Sequence, residues 1–190
     1  MKDLTGQTLI GNYYLESKKG SGKIAEVYKA WDNQKSTFVA VKVLQTFREN
    51  GKEFYEFFSR EAELMASLEH PNIVRFYDFC REGAIAFIVM DWIDGPDLKE
   101  IIHSKEEPLD CGFVLDVFRP ISSALNYAHS RNVIHCDVKP SNILINSSAR
   151  VMLTDFGISK HVSQRTTGGR EERMDSTLPP VFRPKIVPRS

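Results

Sequence analysis

Between residues 135 and 157 the chain sets an Asp, a Lys, an Asn and a second Asp at offsets that suit moving a phosphoryl group between oxygens. The run is His135-Cys136-Asp137-Val138-Lys139-Pro140-Ser141-Asn142, followed by Asp155-Phe156-Gly157. With ATP as donor, Asp137 would face a substrate hydroxyl and accept its proton. Lys139 would neutralise charge on the transferring group, and Asn142 and Asp155 would hold Mg2+. Each side chain alone is more often a solvated loop residue, so the joint spacing carries the reading. Ile143-Leu144-Ile145 and Val151-Met152-Leu153, parted by Asn146-Ser147-Ser148, read as a hairpin that keeps both metal ligands on one side.

These loops resemble the catalytic and magnesium loops of the eukaryotic-like (Hanks-type) protein kinases. Cys136 stands where that family usually has Arg, and the Lys two residues after Asp137 is the serine/threonine pattern. The elements that must position such loops lie upstream. Tyr13 to Lys18, Ala25 to Trp31 and Thr37 to Leu44 read as strands, with Gly20-Ser21-Gly22 between the first two. Taken alone, that loop is more commonly a Gly-Ser-Gly hairpin turn than a phosphate cradle, since glycines serve both. The run Gly22 to Ala30 resembles the glycine loop of bacterial members of the family, with Ala25 in the third glycine's place, and a bacterial source is expected.

The resemblance implies further roles. Lys42, on the strand Val39-Ala40-Val41-Lys42, would pair the nucleotide phosphates. Lys52 to Leu68 has the apolar spacing of an amphipathic helix, and the resemblance selects its Glu61 as the ion-pair partner of Lys42. Val74 to Cys80 and Ala84 to Met90 read as a fourth and a fifth strand. Met90-Asp91-Trp92-Ile93-Asp94-Gly95-Pro96-Asp97 would then form a hinge running into a helix, with Pro96 in its first turn. In the nucleotide pocket Met90 would stand at the back, the backbone of Asp91 to Ile93 would read the adenine edge, and Asp97 would reach the ribose. Gly20, Ser21, Gly22, Val27, Ala40, Lys42 and Leu144 complete the set implied for ATP. Phe113 to Ser130 reads as a helix in which Pro120 is a conflict, expected to kink it or reset its start at about 3 kcal/mol.

Composition bounds these expectations. The chain has 190 residues, 42% hydrophobic and 26% charged, which suits a folded protein. Its 25 basic and 25 acidic residues give no electrostatic case for a nucleic-acid partner. The longest apolar run, Ala84 to Met90, is too short to span a bilayer. Three widely spaced cysteines, Cys80, Cys111 and Cys136, suggest neither a disulfide framework nor a zinc site and fit a reducing cytoplasm.

The expected fold is α+β and bilobal. A small lobe of five antiparallel strands and one helix covers 9–90, a hinge 91–95, and the start of a helical large lobe 96–160. Residues 161–190 read as an activation-loop remnant and disordered tail, with four prolines after Arg170 and no Ala-Pro-Glu anchor. A whole kinase domain takes roughly 250 residues or more, the upper end of ordinary domain size, so a truncated form with weak or no activity alone is expected. Codons for Val181 to Pro184 read one nucleotide later could encode part of such an anchor, which makes a frame break one candidate cause.

The expected function is serine/threonine protein kinase, acting on Ser/Thr hydroxyls of a protein substrate. Two rivals stand beside it: a non-catalytic ATP-binding or interaction module, and a small-molecule kinase of similar fold. The large-lobe helix, short of its floor, is expected to leave an apolar surface through which the chain could associate with another.

Overall fold

The computed structural model describes residues 3–22, 25–44, 62, 65–82 and 85–156. Glu61, Lys23, Ile24, Gly157 and the expected tail at 161–190 lie outside these, as does most of the expected 52–68 helix, of which Ala62, Met65 and Ala66 are helical.

Six antiparallel strands form the first sheet, in the order β1-β2-β3-β4-β6-β5. They are β1 (Thr8–Leu9), β2 (Tyr13–Ser21), β3 (Ala25–Asp32), β4 (Thr37–Leu44), β5 (Phe76–Glu82) and β6 (Ile85–Asp91). Five strands were expected, and β1 is the addition. Two residues are too short to show a period, and β1 exists because Gly11, at φ +65°, helps turn the chain back so that Leu9 pairs with Tyr13. Leu4 and Leu9 then pack in the same buried cluster as Leu15, Tyr28, Val41 and Phe87, so this lobe's core begins before residue 9.

Alternation along β4 decides what faces the cleft. Val39, Val41 and Val43 are buried together in that cluster, which turns Ala40, Lys42 and Leu44 to the other face. A slip of one residue would drive the Lys42 ammonium into an apolar core, so the register is strongly specified.

The second body is helical, with α1 (Leu98–Ser104), α2 (Cys111–His129) and a two-stranded hairpin, β7 (Ile143–Ile145) and β8 (Val151–Leu153). Asp97 caps α1 through a full capping box with Glu100. Pro96 therefore precedes the cap instead of sitting in the first turn. Helix α2 begins at Cys111, capped by Asp110, and runs through Pro120. Pro120 does not reset its start. The carbonyl that loses its donor belongs to Asp116, which is exposed to solvent. Val117, Ile121, Ala124 and Ala128 form the buried stripe of α2 and pack with Ile143, Val151 and Leu153.

The two bodies are stitched together by residues 69–74. Leu153 N–H donates to Asn72 O at 2.8 Å, and Val74 N–H donates to Leu153 O at 2.9 Å. Asn72 Nδ2 donates to Val151 O, while His70 reaches Ser123 Oγ at 3.2 Å and Glu69 N–H donates to Tyr127 Oη. Ile73, Met65 and Leu68 accordingly share the large-body core.

Candidate active site

The site is assembled from sheet register. Val27 pairs with Lys42, and Ala40 lies between Lys29 on β3 and Met90 on β6, so Val27, Ala40, Lys42 and Met90 neighbour one another on the cleft face. Below them is a cleft of about 620 Å³. Its roof includes Gly20, Val27 and Ala40, and its connecting wall includes Met90, Asp91, Trp92 and Ile93. Leu144, Thr154 and Asp155 close it from below, and Asp97 stands at its edge. Ser21 and Gly22 are exposed and line neither this cleft nor the cavity behind it.

Close packing holds the crossing segment against the hairpin. Ile145 N–H donates to Pro96 O at 3.0 Å, and Ser147 N–H donates to Asp94 O at 3.1 Å. A Cβ on Gly95 would lie 2.0 Å from Ile145 O, so the backbone contact requires glycine.

Behind the cleft lies a smaller cavity bounded by Lys42, Met65, Leu68, Met90, Asp155 and Phe156. Lys42 Nζ is 2.7 Å from Asp155 Oδ1. The expected partner Glu61 lies outside the described residues; the described partner is Asp155. Asp155 has φ 62°, a left-handed conformation that costs a non-glycine residue of order a kcal/mol and persists where surroundings impose it. The Lys42 contact and the buried Phe156 that follows it are such surroundings.

At the outer end the second set converges. Lys139 Nζ donates to Asp137 Oδ2 at 2.7 Å. Asn142, 4% exposed, donates from Nδ2 to Asp137 O at 2.8 Å and to Asp137 Oδ2 at 3.2 Å. The 3-10 turn Pro140–Asn142 leads directly into β7, and Thr154 N–H donates to Asn142 O at 2.9 Å. The hairpin therefore puts Asn142 and Asp155 at its same end, as the sequence reading expects.

His135 was given no role by the sequence beyond its place in the motif. It is 1% exposed and its ring lies 4.5 Å from that of Phe156. Asp137 N–H donates to His135 Nδ1 at 3.2 Å, so the proton is on Nε2, which donates to Thr154 O at 2.9 Å. One neutral imidazole thus ties the Asp137 loop to the Asp155 loop. Burial lowers its pKa from 6.5 against the opposing pull of the Thr154 carbonyl and the Asp155 and Asp137 carboxylates. Thr154 was also missed. Its hydroxyl reaches Met90 Sδ at 3.7 Å, and only its place before Asp155 could have flagged it.

The oxygens present suit a hard cation. With Asn142 Nδ2 committed to Asp137, its Oδ1 is left as an acceptor, and Asp155 adds a carboxylate. No group of three or more His, Cys, Asp or Glu side chains that could hold a metal exists among the described residues. One carboxylate and one amide match Mg2+, which takes few protein ligands and completes its shell with phosphate and water.

The protein kinase domain model matches residues 13–179, which runs past 160 into the segment expected to be an activation-loop remnant and tail. The chain is 39% identical over 163 residues to the serine/threonine-protein kinase PrkC of Bacillus subtilis, covering 86% of this chain and 25% of that protein. It is 36% identical over 167 residues to the serine/threonine-protein kinase PknA of Mycobacterium tuberculosis, covering 85% of this chain and 38% of that one. The crystal structure of the Mycobacterium tuberculosis PknI kinase domain superposes with a TM-score of 0.71 at 33% identity, over 81% of this chain and 62% of the other. The chain spans only a quarter to two fifths of the length of these curated relatives. It belongs to the protein kinase family, with the bacterial serine/threonine kinases among its relatives.

Proposed function

We propose that this member of the protein kinase family carries the ATP-binding and catalytic-loop machinery of a serine/threonine protein kinase. The observation that carries the reading is the Lys42–Asp155 contact at 2.7 Å, which joins a strand lysine and a loop carboxylate at one end of a cleft large enough for a nucleotide. The adenine would lie between Val27 and Ala40 above and Leu144 below, with Met90 behind it and the main chain of Asp91 to Ile93 along its edge. Gly20, Ser21 and Gly22 would follow the phosphates. Asp97 spends one oxygen on the α1 cap and keeps the other for the ribose.

Asp137 accepts the proton of a Ser or Thr hydroxyl as that oxygen bonds to the γ-phosphorus and the bond to the β-phosphate oxygen breaks. Asn142 and Lys139 hold the Asp137 carboxylate in place, and Lys139 offers positive charge to the moving phosphoryl group. Lys42 draws the α- and β-phosphates toward Asp155, with Glu61 as a further partner for it. Mg2+ held by Asn142 and Asp155 would offset the triphosphate charge. The partner is a protein hydroxyl. Among the described residues no helix is long and apolar enough to cross a membrane, and the three free cysteines suit a cytoplasmic setting.

A second reading, nucleotide binding without turnover, is favoured by the large-lobe surface. Phe118 is 62% exposed and Leu115 50% on α2, and Phe118 lines an apolar pocket with Val138 and Pro140 beside the catalytic loop. The test is phosphate transfer from MgATP to a generic protein substrate, beside nucleotide binding by calorimetry. Transfer that Asp137→Asn abolishes supports the kinase reading. Binding without transfer supports the second, and absence of both overturns the two together.

A further inference from the structure

Strand β5 carries a bulge at Tyr77. The β5–β6 register passes from Phe76↔Met90 to Asp78↔Val89, which leaves Tyr77 without a partner position. An extra residue of this kind re-aims side chains and sharpens the local twist. Here it lets Phe76 and Phe79, three positions apart, both pack with Ala86 and Ile88, while Tyr77 turns toward the end of β6.

Tyr77 Oη donates to Asp91 Oδ1 at 2.5 Å. That length belongs to the charge-assisted class, in which the bond is about twice as strong as a neutral one. The Asp91 main chain is held as well, since its N–H donates to Arg75 O at 2.9 Å. Lys35, from the turn between β3 and β4, places Nζ 3.6 Å from the Tyr77 ring centroid, a cation–π contact that fixes the ring whose hydroxyl does the fastening. Asp91 is also the first residue of the segment that crosses between the two bodies, and it lines the cleft.

We propose that Tyr77 is a positioning residue of the nucleotide cleft: it fastens the Asp91 carboxylate, with Lys35 bracing its ring, and so holds the Asp91–Ile93 main chain in place for an adenine edge. This rests on the reading that the cleft takes ATP. Desolvation and the Asp91 hydrogen bond push the Tyr77 phenol up to about 12, so it stays a donor across the physiological range.

Tyr77→Phe keeps the ring and removes only the hydroxyl. Asp91→Asn keeps an acceptor but removes its charge. Two measurements decide: hydrogen exchange at the amides of Asp91, Trp92 and Ile93 without nucleotide, and MgATP affinity by calorimetry. For Tyr77→Phe, exchange at those amides should rise about tenfold while β3 and β4 amides stay as they were, and Kd for MgATP should rise five- to tenfold, roughly. Asp91→Asn should give a smaller change in both, and the double variant should be no worse than Tyr77→Phe alone. Unchanged exchange, or a rise spread evenly over the sheet, overturns the proposal, as does local loosening with unchanged affinity. If the wild-type chain binds no MgATP, the kinase reading falls on that result, and with it the nucleotide role of Tyr77, while the exchange comparison still decides whether Tyr77 fastens the segment.

Discussion

Lys42 Nζ and Asp155 Oδ1 meet at 2.7 Å, and that contact joins an interior strand of the sheet, β4, to the loop that follows the hairpin. Lys42 is held by β3 and β6 on either side of β4. Asp155 is held by a left-handed backbone and by the buried Phe156 after it. Two rigid supports therefore aim opposite charges at one point where triphosphate charge would lie.

Lys42→Met should remove the cation and weaken MgATP binding at least tenfold, the order expected for losing one charge-assisted contact. Asp155→Asn should leave nucleotide binding in the absence of Mg2+ little changed and remove the gain that Mg2+ provides. Titration calorimetry with and without Mg2+ separates the two; equal responses in both variants would refute the assignment.

Asn142→Ala should remove the Nδ2 donor to the half-buried Asp137 carbonyl. Losing that hydrogen bond costs about 0.5–1.5 kcal/mol, read as a lower unfolding midpoint in urea. Phosphate transfer, where present, should fall further than stability does, because Asp137 keeps Lys139 but loses one of the two donors that set its carboxylate.

Gly95→Ala should destabilise the chain by about 1–3 kcal/mol, because its Cβ would sit 2.0 Å from Ile145 O and force the crossing segment off the hairpin. Asp94→Ala alters no such close approach and should be nearly silent in thermal melts. Equal effects of the two substitutions would contradict the packing argument.

Acid should weaken the fold through His135. Its folded pKa lies below 6.5 because of burial, so the unfolded chain binds the extra proton and stability falls as pH drops below 6.5 toward the folded value. His70, also lowered by burial, acts in the same direction. His135→Gln should be less stable at pH 7 yet show a shallower loss between pH 7 and 5, measured by denaturant titration at each pH.

Phe118→Glu with Leu115→Lys should raise the monomer fraction in size-exclusion chromatography and change stability by no more than about 0.5 kcal/mol. Both side chains are half exposed or more on α2, so they add little to the core and much to an apolar surface liable to association. A large drop in melting temperature would show that they are covered after all.

The sequence by itself determined the family resemblance and the linear order of the residues that carry it. Asp137, Lys139, Asn142 and Asp155 stand at offsets that few other functions need, and a β-strand's period of two already turned Lys42 away from Val39, Val41 and Val43. It also determined the hairpin, because two short apolar runs around a polar turn have few other solutions. Contacts between distant segments were decided only by tertiary structure. That Lys42 meets Asp155, that His135 bonds Thr154, that β1 adds a sixth strand and that Tyr77 holds Asp91 all depend on approach across 14 or more positions, or on a bulge and a turn that leave no period to read. Local pattern reports which face a side chain takes; which partner waits on that face is set by how the two bodies pack, through the residues 69–74 that bind them.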